Sequence, residues 1–392
     1  MTAPITDEGK LLAEFPPVTT AEWKAAITHD LKGASYDEKL IWKTPEGIAV
    51  QPYYRAEDTE KLEWAAGAPG AFPFARGAHS ASGWLIREAI GETDPAEANR
   101  AALAAIAAGA EEIALGGVAI GNSSDLALVL ANLNEIPVHF AGCGAKLLRL
   151  LAEFLSKNPR SAQTSAAFDP LADLELAAEA ISFSPAGFSP LAIDGAKFAA
   201  RNIVEQIGLT LAAGADFMAA MSERGIDASR AASAVEFSFA IAENYFFEIA
   251  KLRAFRLLWA RVVESFDGFG GSKQNAAARI AAITAIHEEP EAGRHMNMLR
   301  GTTEAMSAVL GGADSVTVTP FDANATEASR RLARNTQLLL KHEAFFARVA
   351  DPGGGSYCLE TITDELCGKA WKILQEIEAK GGFRKAETSL RG

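Results

Sequence analysis

Few residues of this 392-residue chain are of a type and spacing that could do chemistry, and His287 is the first of them. It is followed directly by Glu288 and Glu289, and an imidazole beside carboxylates can act as a general base with a raised pKa. The same three residues also suit an ordinary loop. The other histidines form no pair at metal-ligand spacing; they are His29, His79, His139, His295 and His342. The sequence therefore offers one candidate acid–base residue and no metal site.

A glycine-rich string from Asp351 to Tyr357 reads Asp-Pro-Gly-Gly-Gly-Ser-Tyr and invites comparison with a phosphate-binding loop. It lacks the Lys-Ser/Thr pair that completes a P-loop. Consecutive glycines also suit a tight turn, because such a turn needs positive φ angles. The favoured interpretation is a structural turn between two helices.

Three arginines, Arg253, Arg256 and Arg261, lie on one predicted helix and partly share a face. Arginine pairs can clamp phosphate groups, although ion-paired or solvated helix positions are commoner. The sequence contains no Gly-x-Ser-x-Gly, no His-Glu-x-x-His and no Gly-x-Gly-x-x-Gly in a βαβ context. These standard catalytic and nucleotide-binding signatures are therefore absent from the sequence.

The composition argues against two classes of partner. With 50 acidic and 37 basic residues, the chain carries a formal net charge of −13, which repels nucleic-acid phosphates and anionic lipid. Its three cysteines, Cys143, Cys358 and Cys367, suggest a reducing compartment, and Cys358 and Cys367 suit buried apolar positions. The N-terminus has no targeting pattern, and no apolar run reaches the ~18 residues of a membrane span. We therefore predict a cytoplasmic protein with no nucleic-acid or membrane partner.

The elements that must position these residues alternate, from Trp84 onward, between short β-like runs and segments with helical periodicity. The eight candidate strands are Trp84–Ile90, Glu112–Leu115, Val138–Ala141, Ala166–Asp169, Leu191–Asp194, Val235–Ala240, Ile280–Ala285 and Ser315–Pro320. Eight strand–helix units predict an α/β fold, namely a closed parallel (β/α)8 TIM barrel. His287 would then lie at the carboxyl-end mouth, where such barrels keep their chemistry.

The predicted barrel has an interior that can be tested position by position. Its inward residues should include Ala281 or Ala282, Ile283, and Phe237 or Phe239. These side chains are apolar and partly bulky, so we expect the barrel axis to be largely filled.

Two flanking segments complete the predicted organisation. Residues 1–75 form an extended N-terminal arm, residues 76–325 the barrel, and residues 326–392 a C-terminal helical extension. The arm should contain a helix from Thr20 to Leu31, with Thr20 as its N-cap. The arm also carries an unusual load of aromatic residues, namely Trp23, Trp42, Tyr53, Tyr54 and Trp64. Large rings are enriched at interface cores, so we expect the arm and one barrel face to form a protein–protein interface.

Four strings occur in a specific order: Ile249–Trp259, Asn297–Arg300, Ala333–Gln337 and Asp351–Tyr357. Together with the run Asp30–Tyr54, they resemble the methylmalonyl-CoA mutase family, and particularly its smaller subunit. Members of that family rearrange acyl-CoA carbon skeletons with adenosylcobalamin, as in the methylmalonyl-CoA/succinyl-CoA interconversion of propionate metabolism. The resemblance covers nearly the whole chain and implies a barrel whose arm wraps around a partner subunit.

The resemblance also implies that catalytic residues are missing. Where active members have Ser-Gly-Tyr-His after the fifth strand, this chain has Ala196 and Lys197 in place of the tyrosine and histidine. Where active members have Arg-Thr-His-Ser-Gln on the seventh strand, the string from Arg279 to Ile283 keeps only the arginine. A tyrosine-bearing insertion ahead of Trp84 is absent as well. The family's non-catalytic small subunit departs at the same places.

The family's cobalamin-binding string, Asp-x-His-x-x-Gly, does not occur in this sequence. The resemblance therefore implies that the chain binds no cofactor itself, and that adenosylcobalamin enters through a catalytic large subunit in a heterodimer. Self-association is the other possible assembly. Two further functions stay open. One is an independent acyl-CoA enzyme with Lys197, Arg279 and His287 as substrate-binding residues at the barrel mouth; the other is a non-catalytic module that stabilises a mutase.

Overall fold

A computed structural model describes residues 17–266, 273–287, 293, 295–322 and 325–390. The chain divides into two compact units, and the boundary between them along the sequence lies between Tyr54 and Arg55. The first unit contains helices α1 (Thr20–Asp30) and α2 (Tyr36–Leu40), followed by the short antiparallel strands β1 (Trp42–Lys43) and β2 (Ala49–Val50).

Helix α1 begins at Thr20, as the sequence predicted, but its N-cap is Thr19, one residue earlier than expected. The Oγ1 atom of Thr19 accepts a hydrogen bond from the Glu22 N–H at 3.2 Å, and the Glu22 carboxylate accepts one from the Thr19 N–H at 2.8 Å. This reciprocal pair is a capping box, and only the residue before the first helical turn can make it. The expectation that Thr20 is the N-cap is therefore wrong.

The first unit buries little of its own surface. Among its described residues, Thr44 and Ile48 are the buried ones. Trp23 stacks on Tyr53 with ring centroids 5.1 Å apart, yet Trp23 remains 46% exposed and Trp42 51% exposed. A segment of this size with so small a core gains little stability by itself.

The second unit is a closed barrel of eight parallel strands. They are β3 (Leu85–Ile90), β4 (Glu112–Gly116), β5 (Val138–Ala141), β6 (Thr164–Phe168), β7 (Phe188–Asp194), β8 (Val235–Ile241), β9 (Arg279–Thr284) and β10 (Ser315–Thr317). Each strand pairs with the next in sequence, and β10 closes the ring by pairing with both β9 and β3. The structure confirms the predicted (β/α)8 barrel.

The helices surround the strands and cover their outer faces. They are α3 (Pro95–Ala107), α4 (Ser123–Val129), α5 (Ala145–Lys157), α6 (Leu174–Phe183), α7 (Ile203–Glu223), α8 (Ala228–Ser233), α9 (Tyr245–Glu264) and α10 (Met296–Leu310). Helix α7 is long and apolar enough to cross a membrane by length and composition, but 89% of its most apolar window is buried inside the protein. It is packed as a core helix of the barrel.

The densest part of the core lies between β8 and α9. Phe237 contacts Phe255 and Trp259, each with ring centroids 4.7 Å away, and Phe239 lies 4.9 Å from Phe255. Both phenylalanines therefore point outward to the helix layer. The expectation that one of them fills the axis is wrong, because the alternation along β8 turns Glu236 inward instead.

Three further helices follow the barrel: α11 (Glu327–His342), α12 (Tyr357–Ala379) and α13 (Phe383–Leu390). The glycine-rich string forms the turn between α11 and α12, with Gly355 at φ +83°. Arg253 donates to Asp351 and, at 2.8 Å, to Glu360, and the Glu360 carboxylate accepts the Gly355 N–H at 2.9 Å. The turn is thus a structural connection fastened to α9 by buried ion pairs, as the sequence predicted.

The other two arginines of α9, Arg256 and Arg261, also contact groups within the protein. The buried guanidinium of Arg256 donates to the backbone oxygens of Phe74, Gly311 and Gly312, and burial lowers its pKa to about 10. Arg261 is exposed and lies over the Trp371 ring. Both side chains are therefore committed to contacts within the protein.

Candidate functional site

The amino-terminal half of the barrel axis holds a buried ionic network. Arg87 on β3 donates to Glu112 on the neighbouring strand at 2.8 and 2.9 Å. It also donates across the axis to Glu236 on β8 at 3.2 Å. Burial alone would lower the pKa of Arg87, but the two carboxylates outweigh it and hold that pKa above its usual value. Arg87 therefore stays charged inside the barrel.

Two more side chains, those of His139 and Ser165, extend this network around the axis. The Nδ1 atom of His139 lies 2.8 Å from the Ser165 hydroxyl and 3.5 Å from Glu236. Burial and the charge of Arg87 lower the pKa of His139 to about 4. Burial alone would raise the pKa of Glu236, but Arg87, His139 and Arg279 lower it to about 2. At neutral pH the imidazole is therefore neutral and the carboxylate is charged.

Arg279 belongs to the same network. It is the first residue of β9, and it donates to Glu236 at 3.1 Å and to the Ser189 hydroxyl at 2.8 Å. The amino ends of parallel strands lie at the face opposite the mouth. The expectation that Arg279 lies at the mouth is therefore wrong, and its position helps to fill the axis from below.

At its carboxyl-terminal half the barrel is open on the side of β3, β4, β5 and β10. A cavity of about 350 Å³ is lined on its strand side by small residues, among them Ala89, Ala114, Gly116, Ala141 and Thr317. The expectation of a largely filled axis is therefore wrong on this side of the barrel. Phe237 and Phe239 face the helices. The alternation along β9 that turns Arg279 inward also turns Ala281 and Ile283 inward, as the sequence predicted.

The cavity reaches outward beneath α11. Strands β10 and β3 share two register pairs, Ser315 with Leu85 and Val316 with Ile86, and beyond them the cavity continues to the α11 side chains Arg334 and Gln337. Arg334 pairs with a strand carboxylate, and Gln337 accepts a hydrogen bond from the Trp84 indole. Paired polar groups thus wall the cavity at this side, although the Nε atom of Arg334 has no hydrogen-bond partner among the described residues.

His287 lies three residues beyond the end of β9, at the mouth. Its Nε2 atom is 2.5 Å from the Glu304 carboxylate, and the second oxygen of Glu304 accepts the Ala285 N–H at 3.0 Å. Asn297 donates to the His287 carbonyl at 3.1 Å, which fixes the loop backbone. Burial raises the pKa of Glu304, although the contact with His287 opposes that rise. The result is an imidazole oriented by a buried carboxylate.

Sequence reasoning missed Glu304 and named Glu288 and Glu289 as the carboxylates beside His287. Those two residues lie outside the described part of the chain. The signal for Glu304 was its place on the apolar face of α10, beside the buried residues Ala305 and Ala308. A charged residue at such a position is rarely buried without a partner.

Lys197 lies in the short 3-10 turn Ala196–Phe198 after β7 and is exposed. Its ammonium group lies 5.1 Å from the ring centroid of Phe198 and 5.6 Å from that of Phe383 on α13. Cation–π contacts of this kind hold the side chain against the helix layer. No contact among the described residues brings Lys197, Arg279 and His287 together.

The arrangement limits the chemistry available. The His287–Glu304 pair could move a proton at the mouth, because a carboxylate fixes the orientation of the imidazole. No group of three or more metal-ligating side chains occurs within the described ranges. The axis itself offers a closed ionic floor and a small, mostly apolar cavity.

Comparison with known proteins identifies the family. The methylmalonyl-CoA mutase family model matches residues 43–129 and 151–389. A methylmalonyl-CoA mutase small subunit from Porphyromonas gingivalis is 35% identical over 97% of this chain and 66% of its own length. In Streptomyces virginiae, the small subunit is 32% identical over 96% of this chain, and the large subunit is 28% identical over 98%.

The chain spans 60–66% of the length of these curated relatives. The family model, in contrast, covers most of this chain. The order of the four sequence strings and the closed eight-stranded barrel agree with that match. The chain belongs to the methylmalonyl-CoA mutase family.

Proposed function

We propose that this chain is the small subunit of an adenosylcobalamin-dependent acyl-CoA mutase and the structural partner of a catalytic large subunit. The observation that carries the proposal is the ionic floor of the barrel. Arg87, Glu236 and Arg279 are held to one another by buried ion pairs across the axis. A substrate threaded along the axis would have to break those pairs, and separating buried charges is costly.

The described residues do not fit a corrin cofactor. The side chain at the family's histidine position, Lys197, packs against two aromatic rings, and His287 is bound to Glu304. The cavity of about 350 Å³ is near the lower end of the range for small-molecule sites, roughly 300–1,000 Å³. In this proposal adenosylcobalamin is therefore held by the large subunit, and it supplies the radical chemistry there.

The names of the relatives support a two-subunit assembly. Small and large subunits from the same species both match almost the full length of this chain. The exposed rings of Trp23 and Trp42 in the first unit supply apolar surface that a partner could cover. A heterodimer is therefore preferred over self-association, and a cytoplasmic location is part of the same proposal.

The test is reconstitution with a methylmalonyl-CoA mutase large subunit from the same organism. We expect the two chains to form a 1:1 complex with methylmalonyl-CoA mutase activity, and we expect this chain alone to have none. A truncated variant of this chain that lacks residues 1–60 should bind the large subunit much more weakly. Unchanged association of that truncated chain would show that the arm is not the interface, and activity of the isolated chain would refute the non-catalytic role.

A second candidate function rests on the His287–Glu304 pair, which has the geometry of a proton-transfer group at a barrel mouth. In that case the chain is an acyl-CoA enzyme in its own right. His287→Gln would then abolish turnover of an acyl-CoA by the isolated chain. In the preferred proposal the same variant leaves the activity of the reconstituted complex unchanged.

A further inference from the structure

A groove of about 480 Å³ lies on the flank of the barrel, away from the axis and the mouth. Helices α9 and α12 form two of its walls, and the segment from Glu63 to Pro73 forms the third. At ~30 Å³ per water molecule, the groove holds the volume of about 16 waters. It is thus large enough for more than one side chain of another molecule.

The floor of the groove is apolar. It is formed by Leu257 and Leu258 of α9, by Phe72 and Pro73, and by the Trp64 ring. The two leucines are nearly inaccessible to solvent, so the floor is a fixed part of the core. An apolar floor inside a charged rim is the usual anatomy of a protein–protein contact, where one large side chain fills a pocket and polar groups surround it.

The rim of the groove is mainly acidic. Among the described residues that line it, three carboxylates, Glu63, Glu264 and Asp364, face one cation, Arg261. Arg261 lies over the Trp371 ring, and Glu264 has Lys273 at 3.5 Å. Glu63 and Asp364 are both exposed, and neither forms an ion pair with any residue that the structure describes. The rim therefore favours an occupant that brings its own positive charge.

We infer that this groove binds a segment of the large subunit in which a bulky apolar side chain adjoins an arginine or lysine. The inference rests on the proposed function and adds a specific contact to it. The apolar side chain would fill the floor over Leu257 and Leu258, and the cation would pair with Glu63 and Asp364. Four of the groove residues, Glu63, Trp64, Phe72 and Pro73, belong to the predicted arm of residues 1–75. Every groove residue nevertheless lies in the second unit, so the contact uses none of the exposed rings of the first unit.

Charge reversal tests the contact without disturbing the apolar floor. The variants are Glu63→Lys and Asp364→Lys in the full chain, and the matched control is Glu376→Lys. Glu376 is also exposed on α12 but does not line the groove. Affinity for the large subunit is measured by titration calorimetry. We expect each groove variant to weaken binding by about tenfold or more, because it sets like charges against each other, and the control to bind as the wild type does.

Hydrogen exchange provides the second measurement. Amides of residues 257–264 and 361–367 should become protected when the complex forms, and the thermal unfolding of each free variant should match that of the wild type. Wild-type affinity in both groove variants would overturn the inference while leaving the proposed function intact. Weakened binding without protection at these amides would also overturn it. If the wild-type chain does not bind the large subunit at all, the proposed function and this inference fail together.

Discussion

Protonation of His139 should control the acid stability of this barrel. The pKa of this buried imidazole is lowered from 6.5 to about 4, chiefly by burial and by the nearby charge of Arg87. Because its pKa is lower in the folded protein than in the unfolded chain, His139 binds a proton more readily when the chain is unfolded. The contribution of His139 to the unfolding free energy is therefore fully present above pH 6.5 and is lost as the pH falls from 6.5 towards 4. Glu236 contributes in a lower window, between its usual 4.5 and about 2.

The magnitude follows from these two values. The full difference of 2.5 pH units between 6.5 and about 4 corresponds to about 3 kcal/mol of unfolding free energy. Near pH 5 the unfolded chain is almost fully protonated at this residue and the folded chain is not, so about 2 kcal/mol is already lost relative to pH 8. Urea unfolding followed by tryptophan fluorescence at the two pH values measures this loss.

The decisive comparison uses two histidine variants. His139→Gln keeps a polar partner for Ser165 but cannot titrate, so its loss between pH 8 and pH 5 should be smaller than that of the wild type by about 2 kcal/mol. His79→Gln is the control. The hydrogen bond with Asp314 raises the pKa of His79. The contribution of His79 to the unfolding free energy is therefore present at low pH and lost as the pH rises, opposite to that of His139. Equal acid losses in the wild type and in His139→Gln would refute the reasoning.

Four other outcomes are expected. Arg87→Met should lower the unfolding free energy by about 3–5 kcal/mol, because it removes the cation that pairs with buried Glu112 and leaves Glu236 with Arg279 alone; a urea titration showing a loss below about 1 kcal/mol would contradict this. Gly214→Ala puts a methyl group 2.7 Å from the Trp259 ring and should cost about 1–3 kcal/mol. Gly368→Ala on α12 meets open space and should be neutral or stabilising by up to about 1 kcal/mol, so melting temperatures should separate the two alanine variants. The isolated chain should not change the absorbance spectrum of adenosylcobalamin, and a base-off, histidine-ligated spectrum would contradict that expectation.

The strands were predictable where their residues are apolar. Strand β5 has the predicted bounds Val138–Ala141, because its outward residues form a buried run. Strand β6 begins two residues before the predicted position, at Thr164. Its first two residues are polar: Thr164 receives a hydrogen bond from Arg160, and Ser165 contacts His139. Polar residues that face an ionic barrel interior do not produce the hydrophobic pattern of a buried strand.

The ionic floor could not be predicted for a related reason. Arg87 and Glu236 are 149 positions apart and become partners only when the barrel closes. Sequence spacing carries no signal for a contact across the axis. The inward or outward direction of Phe237 and Phe239 was equally open, because a one-residue shift in register exchanges the two faces of a strand. The alternation of strands and helices predicted the architecture, but the partners of each inward side chain depended on the closed ring.

The closure of the barrel has a consequence for biosynthesis. Strand β3 obtains its second neighbour only from β10, and Lys341 on α11 reaches back over 230 positions to Glu111, at 2.6 Å from its carboxylate. At roughly 5–20 residues per second, a ribosome needs about 10–50 seconds to produce that length of chain. During this interval the first strand has an unpaired edge, and such edges associate readily with other chains. The nascent polypeptide is therefore most vulnerable to aggregation before its last strand leaves the ribosome, and a chaperone or an already folded partner would be most useful then.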